Sequence, residues 1–350
     1  MRYVRLGKSG LKVSQLILGC MSYGLKRPQE GKGWMLGEGE ALKHLKHAYD
    51  AGINTFDTAD TYSSGRSEEI LGKFLKTYEI PRESVVIMTK TYFQFGDEKR
   101  YGPAGFVNNS RLSRKRIFAA VKDSLERLQT DYIDVYQCHR YDPDTPIEET
   151  MQALQDIVQA GHARYLGTSS CYAWQFQVMQ QYAIQHKLTP LISMQNYHNA
   201  IYREEEREMM PTLQHFGVGC IPWSPLAGGG PSSISLFHVP LTRPSTTSTS
   251  TKPKTERHTS TASRSCYPPL VSADQAVIMA IQSIAEKKKV SMAQIALAWS
   301  LSKSFITAPI VGVTSLEKLD DLIQGLAVVL TPEEIKVIDE PYEAKRIFGH

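Results

Sequence analysis

Short apolar runs rich in β-branched residues alternate with longer amphipathic segments along most of this 350-residue chain. The short runs predict buried strands, and the amphipathic segments between them predict helices that cover those strands. Eight strands are predicted, at residues 15–18, 54–57, 84–89, 132–137, 164–167, 191–195, 218–222 and 308–311. Helices are predicted at residues 40–51, 67–78, 113–128, 146–161, 174–186, 204–216, 273–288, 291–302 and 316–326, and a last one begins at Thr331.

Eight strands that alternate with helical segments are the pattern of a closed parallel (β/α)8 barrel, the TIM barrel. An open doubly wound sheet is the alternative, but such sheets usually have fewer strands, and no G-x-G-x-x-G follows the first strand here. Residues 4–13 predict a β-hairpin with a glycine-containing turn, which could close the bottom of the barrel. We therefore predict an α/β fold with a single barrel domain over residues 1–350.

Residues 228–265 break this alternation, because no hydrophobic periodicity runs through them. Their Ser/Thr-rich stretch, residues 246–254, has too little apolar surface to offset the entropy of ordering. The segment is predicted to be a flexible loop after the seventh strand, on the face where barrels carry their active sites. It could be a simple insertion or a lid over a cofactor, and both interpretations stay open.

The composition is typical of a soluble globular protein and does not indicate a nucleic-acid-binding or membrane protein. Hydrophobic residues make up 41% and charged residues 22% of the chain, as in soluble globular proteins. The formal net charge of +4 is too small to indicate nucleic-acid binding, and mixed charges such as those of residues 204–207 predict a solvated helix face. No apolar run approaches the roughly 20 residues of a membrane span. The first ten residues lack the apolar stretch of a signal peptide, so a cytoplasmic protein is expected.

The cysteines and histidines predict neither a disulfide framework nor a metal site. The chain has five cysteines and no C-x-x-C motif, which favours reduced thiols. His44 and His47 share one face of a predicted helix, but no third metal ligand lies near them in the sequence. We therefore predict that both histidines lie on a surface helix.

Four polar residues lie at or just beyond the ends of adjacent predicted strands, where barrel enzymes carry catalytic groups. Asp57 ends the second strand, and Tyr62 lies just beyond it. Lys90 ends the third strand, and His139 ends the fourth. Each residue alone could be an ordinary loop or rim residue, but the four together on neighbouring strands predict an active site.

These four side chains fit the reduction of a carbonyl group. A tyrosine hydroxyl has an ordinary pKa of about 10, and a neighbouring ammonium such as that of Lys90 lowers it. Asp57 can hold Lys90 charged and in place, and His139 can donate a hydrogen bond to the carbonyl oxygen. Tyr62 could then protonate that oxygen as a hydride reaches the carbon. The hydride must come from a bound cofactor, because no side chain supplies one.

Residues 52–62, with the sequence GINTFDTADTY, resemble the signature of the aldo-keto reductase superfamily, and residues 67–72, SEEILG, fit it too. The resemblance runs from Leu6 to about Tyr342, apart from the irregular segment. It is of the kind seen in the fungal aryl-alcohol-dehydrogenase-like branch, with further support at residues 194–196 and 202–208. It implies NADPH-dependent reduction of an aldehyde or ketone by a catalytic tetrad made of Asp57, Tyr62, Lys90 and His139. The implied substrate is an aryl aldehyde or an intermediate of fungal secondary metabolism, and the sequence leaves both open.

The same resemblance implies cofactor residues after the fifth, sixth and seventh strands. Ser169 and Gln195 would hold the nicotinamide amide. Trp223 would stack on the nicotinamide ring. Ser224 and Leu226 would offer groups to the pyrophosphate.

A second implied group follows the eighth strand, where barrels commonly bind phosphate. Lys318 could pair with a 2′-phosphate, which would favour NADPH over NADH, or it could be an ordinary solvated lysine. Asp321 could meet the adenine. Ser170 and Leu322 depart from the asparagines that many relatives have near the nicotinamide and the adenine. The implied residues of this group are Gly312, Thr314, Lys318 and Asp321.

Aromatic residues on the loops after the first and third strands predict a bulky apolar or aromatic carbonyl substrate. Two other functions stay open. The barrel could be an NADPH-binding regulatory module with little turnover, as in potassium-channel β subunits. Alternatively, Lys90 could form a Schiff base in an aldolase. The aromatic residues concerned are Tyr23, Trp34, Tyr92, Phe93 and Phe95.

Overall fold

The structure, a computed structural model, describes residues 1–25, 35–94, 102, 104–227 and 272–350 of the chain. Its first two strands, β1 Tyr3–Arg5 and β2 Lys12–Ser14, pair antiparallel and confirm the predicted hairpin. The strands that follow all run parallel in one sheet: β3 Ile17–Gly19, β4 Thr55–Asp57, β5 Val86–Thr91, β6 Ile133–Cys138, β7 Ala163–Ser169, β8 Leu191–Gln195, β9 Gly219–Cys220 and β10 Ile310–Val311.

The parallel sheet closes on itself. Its strands lie in the order β10-β3-β4-β5-β6-β7-β8-β9, so each strand pairs with the next one along the chain and β10 pairs with β3. Parallel bridges join Cys220 to Ile306 and Trp223 to Ile310, and these connect the two outer strands, β9 and β10. The predicted (β/α)8 barrel is therefore confirmed.

Helices cover the outside of the barrel, and several begin at the side-chain caps that stabilise helix N-termini. Ser113 and Thr331 each accept a hydrogen bond from the backbone N–H three residues on, and Thr331 forms a capping box with Glu334. The helices are α1 Glu38–Asp50, α2 Arg66–Thr77, α3 Arg114–Leu128, α4 Ile147–Gln159, α5 Ala173–Gln185, α6 Met209–Phe216, α7 Ser272–Lys288, α8 Met292–Ser302, α9 Leu316–Gly325 and α10 Pro332–Asp339.

The hairpin closes the end of the barrel where the strands begin. Leu6 and Val13 of the hairpin are fully buried and belong to one apolar cluster with side chains from inside the barrel. Gly7 has a positive φ of +61° and packs so tightly that a Cβ would lie 2.5 Å from Gly217 O. A functional site must therefore lie at the opposite end. The cluster comprises Leu6, Val13, Ile17, Val86, Met88, Val135, Ile221, Ala308 and Ile310.

The predicted helix at residues 204–216 is wrong in its first turns. A 3-10 turn, Glu204–Glu206, comes first, and α6 begins only at Met209. The predicted solvated charged face at residues 204–207 is wrong for Glu204 and Glu205, which are 9% and 5% exposed, whereas Arg207 is exposed. Glu204 accepts hydrogen bonds from Tyr342 Oη at 2.6 Å and from the backbone of Lys345 at 2.7 Å.

These bonds belong to the C-terminal segment, residues 341–350, which runs from α10 back towards the ends of the barrel strands. Lys345 Nζ lies 2.5 Å from Asp274 Oδ1 in the first turn of α7. The Phe348 backbone N–H donates to Tyr202 Oη at 2.8 Å. A Cβ added at Gly349 would lie 3.7 Å from the Trp223 ring, so this segment reaches the loop that follows β9.

Other predictions concern single residues. His44 and His47 both lie on α1, a helix on the outside of the barrel, as predicted. The His44 side chain faces inward, because it is 2% exposed and lies 2.7 Å from Tyr23 Oη, whereas His47 contacts Asp320 at 2.6 Å. The cysteines at positions 20, 138, 171 and 220 are free and buried. Cys266 and the predicted loop at residues 228–265 lie outside the described residues. Within the described part of the chain, no helix is long and apolar enough to cross a membrane.

Candidate active site

A buried ion pair lies between β4 and β5, at the end of the barrel opposite the hairpin. Lys90 Nζ donates to Asp57 Oδ2 and to Thr58 O, both at 2.7 Å. The side chains of Lys90 and Asp57 are 0% and 3% exposed. Burial lowers the pKa of Lys90, but the negative charge of Asp57 and the hydrogen bonds to Asp57 and Tyr62 outweigh burial and raise that pKa above its usual value. Lys90 therefore stays protonated.

The Tyr62 hydroxyl is the next group in this chain of contacts. Lys90 Nζ donates to Tyr62 Oη at 3.4 Å. Burial raises the pKa of Tyr62, and the nearby charge of Lys90 lowers it by less. Lys90 lowers the pKa of Tyr62, as predicted, but burial outweighs this effect and the pKa lies above its ordinary value. Tyr62 is a neutral hydroxyl that can donate a proton.

A strained turn holds Tyr62 at the barrel rim. The three residues after it, Ser63, Ser64 and Gly65, have φ values of +50°, +54° and +85°. Serine rarely adopts this left-handed conformation, which costs about 1–3 kcal/mol per residue and often marks functional sites. The turn leads directly into α2, so the position of Tyr62 depends on the packing of that helix.

His139 follows β6 and lies beside Tyr62. The ring centroids of Tyr62 and His139 are 5.8 Å apart in an edge-on arrangement, and Phe93 packs on His139 at 4.9 Å. Burial, aided by Lys90 and Arg140, holds the pKa of His139 well below its ordinary value, so the imidazole is neutral. Its Nδ1 is buried without a hydrogen-bond partner among the described residues. A neutral imidazole can donate one hydrogen bond to a substrate.

Two buried amides hold the other oxygen of Asp57. Asp57 Oδ1 accepts from Gln195 Nε2 at 2.9 Å and from Gln137 Nε2 at 3.2 Å. The sequence predicted a cofactor role for Gln195 but missed Gln137, which lies inside a strand. A signal was available, because Gln137 is two residues before His139 and strand side chains alternate between faces.

The predicted nicotinamide residues lie together at the ends of β7, β8 and β9. Ser169 Oγ donates to the backbone oxygen of Gln195 at 2.8 Å. Trp223 Nε1 donates to Ser170 Oγ at 3.1 Å, and Tyr197 packs on the Trp223 ring with centroids 4.5 Å apart. These contacts fix the indole next to Ser169 and Gln195.

The remaining predicted cofactor residues lie further along the same rim. Ser224 has a φ of +53°, and Leu226 is 8% exposed in the loop after β9. Gly312 lies two residues beyond Ile310, which bridges to Trp223. The Ser315 hydroxyl caps α9. Further members of the set are Thr314, which is half-buried, and Lys318, which is exposed in the first turn of α9.

Two predicted residues have partners of their own. Asp321 Oδ2 accepts a hydrogen bond from Ser291 Oγ at 2.7 Å, which ties α9 to α8. Tyr23 is fully buried against His44, so it packs in the core and does not line a pocket. The predicted pocket residues Trp34 and Phe95 lie outside the described residues. Among the residues that are described, no cluster of three or more His, Cys, Asp or Glu side chains could hold a metal ion.

A closed parallel barrel with buried ionisable groups at its carboxyl end defines an enzyme of the TIM-barrel class. Residues 15–343 match the model of the Aldo/keto reductase family. A versiconal hemiacetal acetate reductase of Aspergillus parasiticus is 47% identical over 356 residues, which cover 99% of this chain and 98% of that relative. A Schizosaccharomyces pombe protein named Putative aryl-alcohol dehydrogenase C977.14c is 46% identical over 355 residues, 97% of this chain and 95% of its own.

A third relative, an aldo-keto reductase of Fusarium vanettenii, is 41% identical over 362 residues, 99% of this chain and 93% of its own. The chain therefore belongs to the aldo/keto reductase family, as the sequence predicted. It is an oxidoreductase that acts on carbonyl or alcohol groups, and enzymes of this family generally use NAD(P)H.

Proposed function

We propose that this chain is an NADPH-dependent carbonyl reductase in which Tyr62 protonates the carbonyl oxygen. The observation that carries the proposal is the buried series of contacts from Tyr62 through Lys90 to Asp57, with distances of 3.4 Å and 2.7 Å. When bound, NADPH would supply the hydride that reaches the carbonyl carbon. The protein itself would supply the proton, from Tyr62, and the neighbouring charges, from Lys90 and Asp57.

The neutral hydroxyl of Tyr62 and the neutral imidazole of His139 would hold the substrate oxygen between them. Two hydrogen bonds polarise a carbonyl and stabilise the negative charge that develops on its oxygen. Tyr62 then passes its proton to that oxygen, and the protonated Lys90 stabilises the tyrosinate that remains. Asp57 keeps Lys90 charged. A lysine held as an ammonium is a poor nucleophile, which disfavours the Schiff-base alternative.

The residues after β7, β8 and β9 fit a nicotinamide. Gln195 uses its Nε2 in bonds to Asp57 and Gln137, and its Oε1 makes no hydrogen bond within the described residues. That oxygen can accept from the amide of the cofactor. Trp223, held by Ser170, offers a ring face for stacking.

The residues after β10 fit a phosphate group. An added Cβ on Gly312 would meet only Gly19 O, at 3.8 Å, so a ligand can approach this backbone closely. The N-terminus of α9 offers backbone N–H groups and a partial positive charge, which favour anions. Lys318 adds a full positive charge in the first turn and supports NADPH over NADH. Ser224, Leu226, Thr314 and Asp321 complete the proposed cofactor set.

We further propose that the substrate is a bulky apolar or aromatic carbonyl compound. Phe93 is 38% exposed, and it packs on His139 and on Tyr92, which gives the site an aromatic edge. The similarity to a versiconal hemiacetal acetate reductase supports a role in fungal secondary metabolism. A cytoplasmic location and a single domain over residues 1–350 belong to the same proposal.

The proposal is tested by incubating the purified protein with NADPH and a panel of aryl aldehydes and ketones, and following the loss of NADPH absorbance. Tyr62→Phe should lower turnover at least ~10²-fold, the effect of losing a general acid. Its NADPH affinity should stay nearly unchanged. The control is Tyr49→Phe, because the Tyr49 hydroxyl contacts Ser84 at 3.0 Å just before β5 begins, at the opposite end of the barrel from Tyr62. Failure of the wild type to turn over any compound would contradict the proposal, and stable partner binding without turnover would favour the regulatory module.

A further inference from the structure

Asp57, Gln137 and Gln195 form a closed triangle of hydrogen bonds inside the barrel. Gln195 Nε2 donates to Asp57 Oδ1 at 2.9 Å and to Gln137 Oε1 at 3.3 Å, and Gln137 Nε2 donates to Asp57 Oδ1 at 3.2 Å. All three side chains are buried. The triangle connects the ion pair that contains Lys90 to the end of β8.

The carboxylate decides which way both amides face. A carboxylate paired with an ammonium only accepts hydrogen bonds, so each amide must turn its nitrogen towards Asp57. The oxygen of Gln137 is then left to accept the second hydrogen of Gln195 Nε2. Both hydrogens of the Gln195 amide are used, and Gln195 Oε1 remains as its acceptor.

One hydrogen bond would fix the nitrogen of Gln195 but not the plane of its amide. With Asp57 as the single partner, the amide can rotate about the bond and Oε1 can take many positions. The second bond, to Gln137, fixes the plane and therefore the position of Oε1. A positioned acceptor binds a ligand more tightly, because less freedom is lost on binding.

The neighbouring strand leaves room for Gln137. A Cβ added at Gly167, in β7, would lie 3.1 Å from Gln137 Cγ and 2.3 Å from Ser193 Oγ. The glycine lies between β6 and β8, the two strands that carry the amides. The space for the triangle therefore depends on the absence of a side chain at this position.

We propose that Gln137 is a positioning residue that acts through Gln195, fixing Gln195 Oε1 as the acceptor for the NH2 group of the nicotinamide carboxamide. This inference rests on the proposed NADPH-dependent function. It assigns the amide triangle to cofactor recognition, in addition to the support that it gives Asp57.

The experiment measures binding without turnover, by quenching of tryptophan fluorescence. The probes are NADP+ and its 3-acetylpyridine analogue, which keeps the ring carbonyl but lacks the amide NH2. The proteins are wild type, Gln137→Met, Gln195→Met and the double variant. Gln180→Met is the matched control, because Gln180 is a buried glutamine that binds Leu191 at the opposite end of β8. Gln137→Ala, which leaves space for water, replaces Gln137→Met if that variant does not fold.

The wild type should bind NADP+ about fivefold more tightly than the analogue, the value of one neutral hydrogen bond. In Gln137→Met the preference should fall to about twofold or less, and Gln195→Met should abolish it. The double variant should match Gln195→Met, because Gln137 acts only through Gln195. Gln180→Met should keep the wild-type preference.

The inference is overturned if the wild type shows no preference, if Gln137→Met keeps the wild-type preference, or if the double variant loses more than Gln195→Met. In these cases NADPH-dependent turnover of carbonyl compounds can persist, and the proposed function stands. If the wild type binds neither dinucleotide, the proposed function fails and the inference fails with it.

Discussion

Strand β5 carries charged partners on both of its faces. Lys90 points into the barrel and pairs with Asp57, whereas Thr89 and Thr91 bind buried carboxylates on the outside. Those carboxylates, Glu68 and Asp60, pair with Arg127 and Arg116, each at 2.7 Å. Burial raises the pKa of Asp60 to about 6 in spite of its arginine. The position of Lys90 therefore depends on ion pairs that lie outside the barrel.

Acid should weaken the protein through His139. Its pKa in the folded state lies well below its ordinary value of about 6.5, so the folded state favours the neutral ring. The stability that this gives is present above about pH 6.5 and is lost progressively as the pH falls from about 6.5 towards the folded-state pKa. Between pH 7.5 and 5.0, wild type should lose up to about 2 kcal/mol more unfolding free energy than His139→Gln.

Urea unfolding of both proteins at the two pH values measures this effect. The difference between wild type and variant at pH 7.5 is the reference, which cancels any loss of packing caused by the substitution. Contributions from Asp60 are common to both proteins and cancel too. If wild type and His139→Gln lost the same unfolding free energy on acidification, His139 would not gain a proton on unfolding.

At the scale of elements, helix α9 affects whether the protein prefers NADPH or NADH. Lys318 is exposed in its first turn, where the helix N-terminus already favours an anion. Lys318→Met should weaken binding of NADPH about tenfold through loss of a charge-assisted contact. Binding of NADH, which has no 2′-phosphate, should stay nearly the same.

Fluorescence titration with the two cofactors gives the measurement. The control is Lys336→Met on α10, because Lys336 is exposed and forms an ion pair with Glu340 on the same helix face. It should leave both affinities unchanged. Equal weakening of NADPH and NADH by Lys318→Met would remove Lys318 from the phosphate site.

Strands and most helices could be predicted because their hydrophobic periodicity is local. The proximity of Asp57, Tyr62, Lys90 and His139 could be predicted because residues at the ends of adjacent parallel strands must lie close together. Burial of a polar residue by a distant segment has no such local signal. Glu204 is covered by Tyr342, which comes 138 residues later, and the same cause buries His44 beneath Tyr23. Burial also decides the pKa of Tyr62, which a sequence cannot supply.

For the whole molecule, the C-terminal segment is a support for the rim at β8 and β9. Phe348 binds Tyr202, and His350 lies 3.3 Å from Glu205 and stacks on Tyr172. Deleting residues 346–350 removes these contacts and should lower the unfolding free energy by about 1–3 kcal/mol. It should also shift tryptophan emission to the red, because Trp223 loses its neighbour Gly349.

Urea unfolding and emission spectra of the shortened protein check both effects. The same deletion in a Trp223→Phe background is the control, and there the shift of emission should disappear. A red shift that persists without Trp223 would come from another tryptophan. An unchanged unfolding free energy would show that residues 346–350 contact the rim without stabilising it.

The hairpin and the C-terminal segment lie at opposite ends of the barrel, one beneath the apolar cluster and the other beside Trp223. This gives the molecule a direction that an experimenter can use. Tethered to a sensor chip or resin through the hairpin, the protein would present the proposed active site to the flowing solution. Tethered through residues 346–350, the protein would carry the linker beside Trp223, next to the proposed active site.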